Sequence, residues 1–360
     1  MRITMLLFCL IFLSACKEDY KRPTHVSKVI IEPIVNDTLL SVRAIDLNND
    51  YLFYGSADHI GKRALGAEFK INLNELNVSN GKNHFKHILN YDEKPLPFRA
   101  IKEVKGSLFA ISIGNPARLY KLSRKSKNPR LVYEEVNEKV FYDSMDFWND
   151  KEGIAIGDPT EDCMSIIITR DSGETWTKLS CIDLPKAKEG EAAFAASDTN
   201  IVIIGNHTWV ATGGKASRIL YSSDKGQTWE VYDTPIIQGK ETTGIYSIDF
   251  YDENNGFAIG GDYTKANDTL ANKIRTNDGG KTWQVVANGE GPGYRSCVQY
   301  IPNSNGKELV AIGFKGVDYS KDSGDSWTHL SDEGFYTIRF LNDSVAYAAG
   351  KGRISKLMFR

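Results

Sequence analysis

Three arginines occupy one recurring place in this chain. Arg43, Arg99 and Arg295 each directly precede a small residue in a short apolar run: "VRAIDL", "FRAIKEV" and "YRSCVQY". A guanidinium presents paired donors in one plane, which match carboxylate, sulfate or phosphate. Converging arginines would hold an anionic group. Otherwise they would pair internally with acids such as Asp143. Carboxylates offer a second chemistry. Glu191 with Asp158 or Asp262 would make an acid/base pair for a glycosidic bond, which needs two carboxyl groups flanking it at a set separation. Trp209 and Tyr263 lie in Gly-containing polar stretches and would stack on a sugar ring, with His207 beside Trp209. The chain has six His without ligand spacing, so neither a metal site nor a cofactor is expected.

The elements that must position these residues form a repeat. The same kind of run recurs as "YDSMDF" at Tyr142, "EAAFAA" at Glu191, "IYSIDF" at Ile245 and "YTIRF" at Tyr336. Aligned on the small residue, the position before it holds Arg43, Arg99, Asp143, Ala192, Tyr246, Arg295 and Tyr336. Each run is followed by a second apolar strand that usually ends in Gly, as in "LFAISIG", "IVIIGN" and "GFAIGGDY". Seven such units predict an all-β, seven-bladed β-propeller over residues 28–360. The first strand of each blade lines the channel. Its start shares one face with the loops after the second strands, so Tyr246, Tyr336, Asp158, His207, Trp209, Asp262 and Tyr263 are expected to share the arginines' face. The last unit runs out of chain. "KVIIEPI" at residues 28–34 is expected to supply its outer strand and close the ring.

A second motif punctuates the later units. "TRDSGETW", "SSDKGQTW", "TNDGGKTW" and "SKDSGDSW" all read Ser/Thr-x-Asp-x-Gly-x-Thr/Ser-Trp. The Asp (Asp171, Asp224, Asp278, Asp322) can accept hydrogen bonds from the turn's own N–H groups. The Gly (Gly173, Gly226, Gly280, Gly324) can take the positive φ of a tight turn. The Trp (Trp176, Trp229, Trp283, Trp327) covers the hairpin with an apolar face. These are structural devices on the face opposite the arginines, and their acids are not catalytic candidates. The four motifs resemble the BNR/Asp-box repeats of sialidase-fold propellers. Longer phrases such as "GEAAFAASDTNI" and "TGGKASRILYSSDKGQTW" are similar to photosystem II stability/assembly-factor-like bacterial proteins. That resemblance implies a fold, not an activity. Sialidases hold a carboxylated sugar with clustered arginines, but their Arg-Ile-Pro motif is absent here, since Ala100 follows Arg99.

The ends and the composition set the remaining expectations. "MRITMLLFCLIFLSAC" has one Arg, a short apolar run and a lipobox-like Leu13-Ser14-Ala15-Cys16. It predicts a lipoprotein signal over residues 1–15, lipidation of Cys16 and a tether over residues 16–27. The following Lys17-Glu18-Asp19 resembles the surface-export signal of Bacteroidetes lipoproteins. These resemblances imply a bacterial outer-membrane lipoprotein, exposed at the cell surface where the export signal is read. Of the five Cys, Cys163 and Cys181 lie symmetrically about one turn and are expected to pair, while Cys297 is a buried thiol. A net charge of −2 gives no reason to expect nucleic acid. The expected protein is a monomer, anchored in the membrane by lipid, that binds a protein partner or glycan at the channel mouth without catalysis. The alternative is a glycoside hydrolase acting on an acidic glycan.

Overall fold

The computed structural model describes residues 25–65, 84–123 and 128–360. Cys16, the signal and most of the tether lie outside the described residues. The fold is a β-propeller. Among the described residues there is no α-helix, only a one-turn 3-10 helix at Tyr263–Lys265.

The middle strands are apolar runs because each is covered on both faces. Gly153–Gly157 and Leu309–Gly313 are buried along their whole length. Outer strands such as Arg130–Glu135 carry the exposed residues. Between neighbouring sheets lie the cores. In one, Phe109 and Ile111 meet Tyr142, Met145 and Ile167; in the next, Ile154 and Ile168 meet Ile201, Val210 and Leu220. The inner strands Val29–Leu47, Phe98–Val104, Tyr142–Phe147, Ile201–Ile204, Thr243–Phe250, Cys297–Tyr300 and Thr337–Phe340 pack in that order and return to the first.

Hydrogen bonding resolves six sheets of four or more strands, where seven separate blades were expected. The cause is two strands that run on. Val29–Leu47 pairs through residues 29–36 with residues 353–359 of Val345–Phe359, and through residues 42–47 with Tyr51–Ser56. Val345–Phe359 in turn pairs with Thr337–Phe340, and the Phe359 N–H donates to the Ser344 carbonyl, so that strand doubles back on itself. The N-terminal residues therefore close the ring against the C-terminal ones.

The fourth unit differs from its expected register. "EAAFAA" is not an inner strand: Glu191–Ala192 makes only a two-residue pairing with Gly213–Gly214. The inner strand is Ile201–Ile204, and His207–Ala211 is the second strand. The residues between, 195–199, leave the sheet and fill the channel. Asp198 accepts from the backbone N–H of Ile101 and of Met145. Ser197 donates to the Ser296 carbonyl, Thr199 donates to Ser247, and Thr337 and Arg339 donate to the carbonyls of Ser197 and Asp198. One short segment thus bonds to inner strands on five other sheets, which places it along the axis.

The four Asp–Gly–Trp turns share one bonding pattern. In the first, the Thr169 hydroxyl donates to Asp171 and accepts from the Gly173 N–H at 2.9 Å. Asp171 also accepts from the Thr175 N–H and hydroxyl, at 2.9 and 2.6 Å. Ser222/Asp224/Thr228, Thr276/Asp278/Thr282 and Ser320/Asp322/Ser326 repeat it. Two successive residues have positive φ, 64° at Ser172 and 72° at Gly173. A Cβ on Gly173 would also fall 2.2 Å from the Phe109 ring, so both conformation and space require Gly there. Trp176, Trp283 and Trp327 lie edge-on or tilted against Phe147, Phe250 and Phe257. Cys163 and Cys181 are joined in a disulfide, with Cα atoms 5.4 Å apart.

Candidate binding face at the channel mouth

Strand register decides which residues share a face. First-strand starts pair with second-strand ends: Val42 with Ser56, Phe98 with Ser112, Tyr142 with Gly157 and Thr243 with Asp262. The Asp–Gly–Trp turns follow third-strand ends, which pair with second-strand starts, as Thr169 does with Gly153. The turns and the first-strand starts therefore lie on opposite faces.

At the first-strand starts the ladder skips one residue. The skipped residues are Arg43, Arg99, Asp143 and Tyr246. A bulge of this kind re-aims its side chain out of the pleat. The position aligned from the sequence is thus a geometric position, at the end of the sheets opposite the Asp–Gly–Trp turns. Arg43 lies over the Tyr336 ring at 4.0 Å, and Arg99 lies 6.0 Å from the Phe141 ring. Both arginines line one small cleft with Ser41, Ala57, Pro97 and Phe98. Burial, then the neighbouring Arg43 charge, pulls the Arg99 guanidinium down to about 10. It donates a hydrogen bond to the Ala195 carbonyl that is 3.3 Å long.

Asp143 faces this pair from behind. It is fully buried, and neither carboxyl oxygen has a hydrogen-bond partner of normal geometry. Burial and the charge of Asp158 push it well above the usual carboxylate range; Arg99 and the Ala195 N–H oppose that rise. Asp158 accepts from the Ala193 N–H at 2.8 Å, and burial raises it to about 6.

Aromatic rings occupy the adjoining sector. Phe194 stacks on Tyr246 with centroids 3.9 Å apart. Tyr246 meets Tyr294 at 4.8 Å, and Tyr294 meets Phe314 at 5.5 Å. Tyr263 stands 6.3 Å from both tyrosines. Tyr263 and Phe314 are 49% and 43% exposed, so the cluster reaches the surface. Burial raises the Tyr294 hydroxyl, and the Arg43 charge lowers it, so the aromatic cluster lies within electrostatic reach of the arginine.

Several sequence candidates fall elsewhere. Arg295 does not join Arg43 and Arg99: its Nε donates to the buried Asp318 at 2.6 Å, and its guanidinium to the Tyr294 carbonyl. Glu191 is spent on structure. Its two oxygens accept from Arg218 at 3.0 and 2.5 Å and also hold the Thr212 hydroxyl and the Lys188 N–H. Asp262 caps the 3-10 turn by accepting from the Thr264 N–H and hydroxyl; those bonds outweigh burial and hold it below its ordinary range. Both carboxylates are thus held in structural hydrogen bonds. Trp209 and His207 are on the second strand beside the Asp–Gly–Trp turns, not in a loop at the mouth. Trp209 is fully buried, stacks on Phe250 at 4.0 Å and donates to the Gly279 carbonyl; His207 bonds the Tyr221 hydroxyl at 2.6 Å. Ala192 is not equivalent to the bulge residues, because its run is not an inner strand.

Phe141, Phe194, Tyr294 and Phe314 were missed. Tyr294 stands one place before the aligned position, where Phe98 and Tyr142 are core, so no pattern separated it from them. Phe194 lies in the run misread as a strand.

No family model and no curated protein matches this chain. Solved structures do. The structure of YCF48 bound to D1 peptide matches with a TM-score of 0.62 at 13% identity, over 92% of this chain and 95% of that one. YCF48 from Cyanidioschyzon merolae matches at 0.60 and 10%, over 92% and 99%. The RRP9 WD40 repeats match at 0.60 and 10%, over 92% and 98%. At these identities the likeness establishes the fold: this chain is a β-propeller similar in shape to YCF48 and to WD40 proteins.

Proposed function

We propose that this chain is an exported, lipid-anchored propeller that captures a protein partner at the mouth formed by Arg43, Arg99, Tyr246, Tyr263, Tyr294, Phe314 and Tyr336. The observation that carries this reading is the continuous aromatic cluster with Tyr263 and Phe314 at its surface, on the same face as two arginines at the equivalent first-strand position. Aromatic residues and Arg are the side chains that most often anchor protein interfaces. The likeness to YCF48, solved with a bound D1 peptide, supports a polypeptide ligand on this architecture. We also infer that the six-stranded sheet formed by the two run-on strands is two blades sharing a strand, which gives seven blades, and that the four Asp–Gly–Trp turns are Asp boxes. The lipobox-like run ending at Cys16 supports a lipid anchor and outer-membrane placement, with the tether presenting the propeller away from the bilayer.

A photo-crosslinking amino acid at Tyr263 tests the reading in cells of the source organism. A discrete protein adduct is expected from Tyr263 and none from Gln227, an exposed position in one of the turns on the opposite face. Equal labelling from both positions, or none from Tyr263, would overturn it. Membrane fractionation of a Cys16→Ser chain tests the anchor: the protein is expected to leave the membrane pellet.

A further inference from the structure

Two like charges stand side by side at this mouth, and among the described residues no acid is paired to them. Among the described residues, neither Arg43 nor Arg99 has a carboxylate within ion-pair distance. Arg43 is covered on one side by Tyr336, and Arg99 lies beside Phe141. Their shared cleft, about 40 Å³, has room for a group of a few heavy atoms. An uncompensated, partly buried pair of guanidiniums costs repulsion that an arriving anion relieves. A carboxylate can accept from both arginines at once.

Asp143 supplies an independent observation. A buried carboxyl with no hydrogen bond of normal geometry to either oxygen is rare in a folded protein and calls for a reason. The groups that face it are Arg99 from the second blade, Asp158 from its own sheet and the Ala195 N–H from the channel segment. Arg99 in turn is faced by Arg43, Asp143 and Tyr336. Asp143 is therefore the sole acid acting on Arg99 among these neighbours. Protonated, it leaves Arg99 without a counter-charge. Ionised, it supplies one from inside the protein.

We propose that Arg43 and Arg99 form a subsite for a carboxylate of the partner, and that Asp143 is the internal acid that competes with this carboxylate for Arg99. This rests on the protein-partner reading and narrows it to a partner with an acidic side chain or chain end. The competition gives binding a sign with pH. As pH rises, Asp158 ionises near 6. Asp143, held well above the usual carboxylate range by burial and then by the Asp158 charge, ionises later than an ordinary carboxyl. Each step adds negative charge around Arg99, so affinity for an anion falls.

The test uses the full chain in a non-ionic detergent, with a tetra-aspartate peptide as probe and tetra-asparagine as control, by calorimetry. The tetra-aspartate peptide is expected to bind and the control not to. Arg43→Ala and Arg99→Ala are each expected to weaken binding by about tenfold. Arg99→Lys, which keeps the charge and should keep the fold, is expected to weaken it less than Arg99→Ala. For the wild type, affinity is expected to fall by about fivefold from roughly pH 5.5 to pH 8.5. The double variant Asp143→Asn/Asp158→Asn should be flat over that range. No binding of tetra-aspartate, equal binding by the arginine variants, or an unchanged pH slope in the double variant would each overturn the proposal. A Tyr263 crosslink that persists while tetra-aspartate fails to bind would sink the carboxylate subsite alone and leave the partner reading standing.

Discussion

Asp143 and Glu191 are both buried acids, and their partners give them opposite meanings. Glu191 is saturated by Arg218, Thr212 and a backbone N–H, as a buried charge must be if it is to be tolerated. Asp143 has no such set and is pushed upward by burial and by Asp158. An acid whose folded value lies above its unfolded one contributes stability in acid that is lost as pH rises through the folded value. Asp143→Asn keeps the shape and removes the proton. Its melting temperature is expected to match the wild type near pH 4 and to exceed it progressively toward pH 9, read by circular dichroism across that series. A gap that stays constant with pH would show that Asp143 does not change protonation on folding. The sequence alone could nominate both acids but could not rank them, since the difference lies in what each side chain touches.

At the scale of elements, local turn chemistry was fully readable and strand register was not. Each Asp–Gly–Trp turn is determined by eight consecutive residues, so composition and spacing contain the whole device. Asp278 accepts from the Thr276 hydroxyl, the Thr282 N–H and the Thr282 hydroxyl. Asp278→Ala is expected to cost about 1–2 kcal/mol, because these bonds lie at the surface where water replaces part of what is lost. A urea titration should show a lower midpoint with an unchanged slope; no change in midpoint would mean the turn holds without its acid. The aligned position before the small residue was also readable, because a bulge at the same place in four strands repeats the same local pattern. The fourth unit failed for a physical reason. Its residues 195–199 bond to five other sheets along the axis, and the run just before and into them, "EAAFAA" at Glu191, looks locally like another small-residue strand start. Long-range bonding leaves no periodic trace. That single slip moved His207 and Trp209 to the wrong face.

For the whole molecule, the ring and the mouth depend on one seam. Residues 29–36 pair with residues 353–359, and Ile354, Leu357 and Phe359 are fully buried. The seam fixes Val29–Leu47, which carries Arg43 at the mouth further along the same strand. Arg339, on the neighbouring Thr337–Phe340 strand, bonds to the channel segment, so ring closure and channel filling are mechanically joined. An unclosed propeller would expose an edge strand and the core behind it. A chain truncated after Gly352 is expected to lose cooperative unfolding altogether. A milder probe is Leu357→Ala, which leaves the backbone pairing intact and removes buried methyl groups at a cost of about 2–5 kcal/mol. If the seam holds the mouth as well as the core, hydrogen exchange in Leu357→Ala should rise first at the amides of residues 29–36, then at Arg43 and in residues 195–199, before the second and third sheets change. Uniform loosening of all sheets would show that the blades share stability evenly, and that the mouth owes nothing in particular to the closing strand.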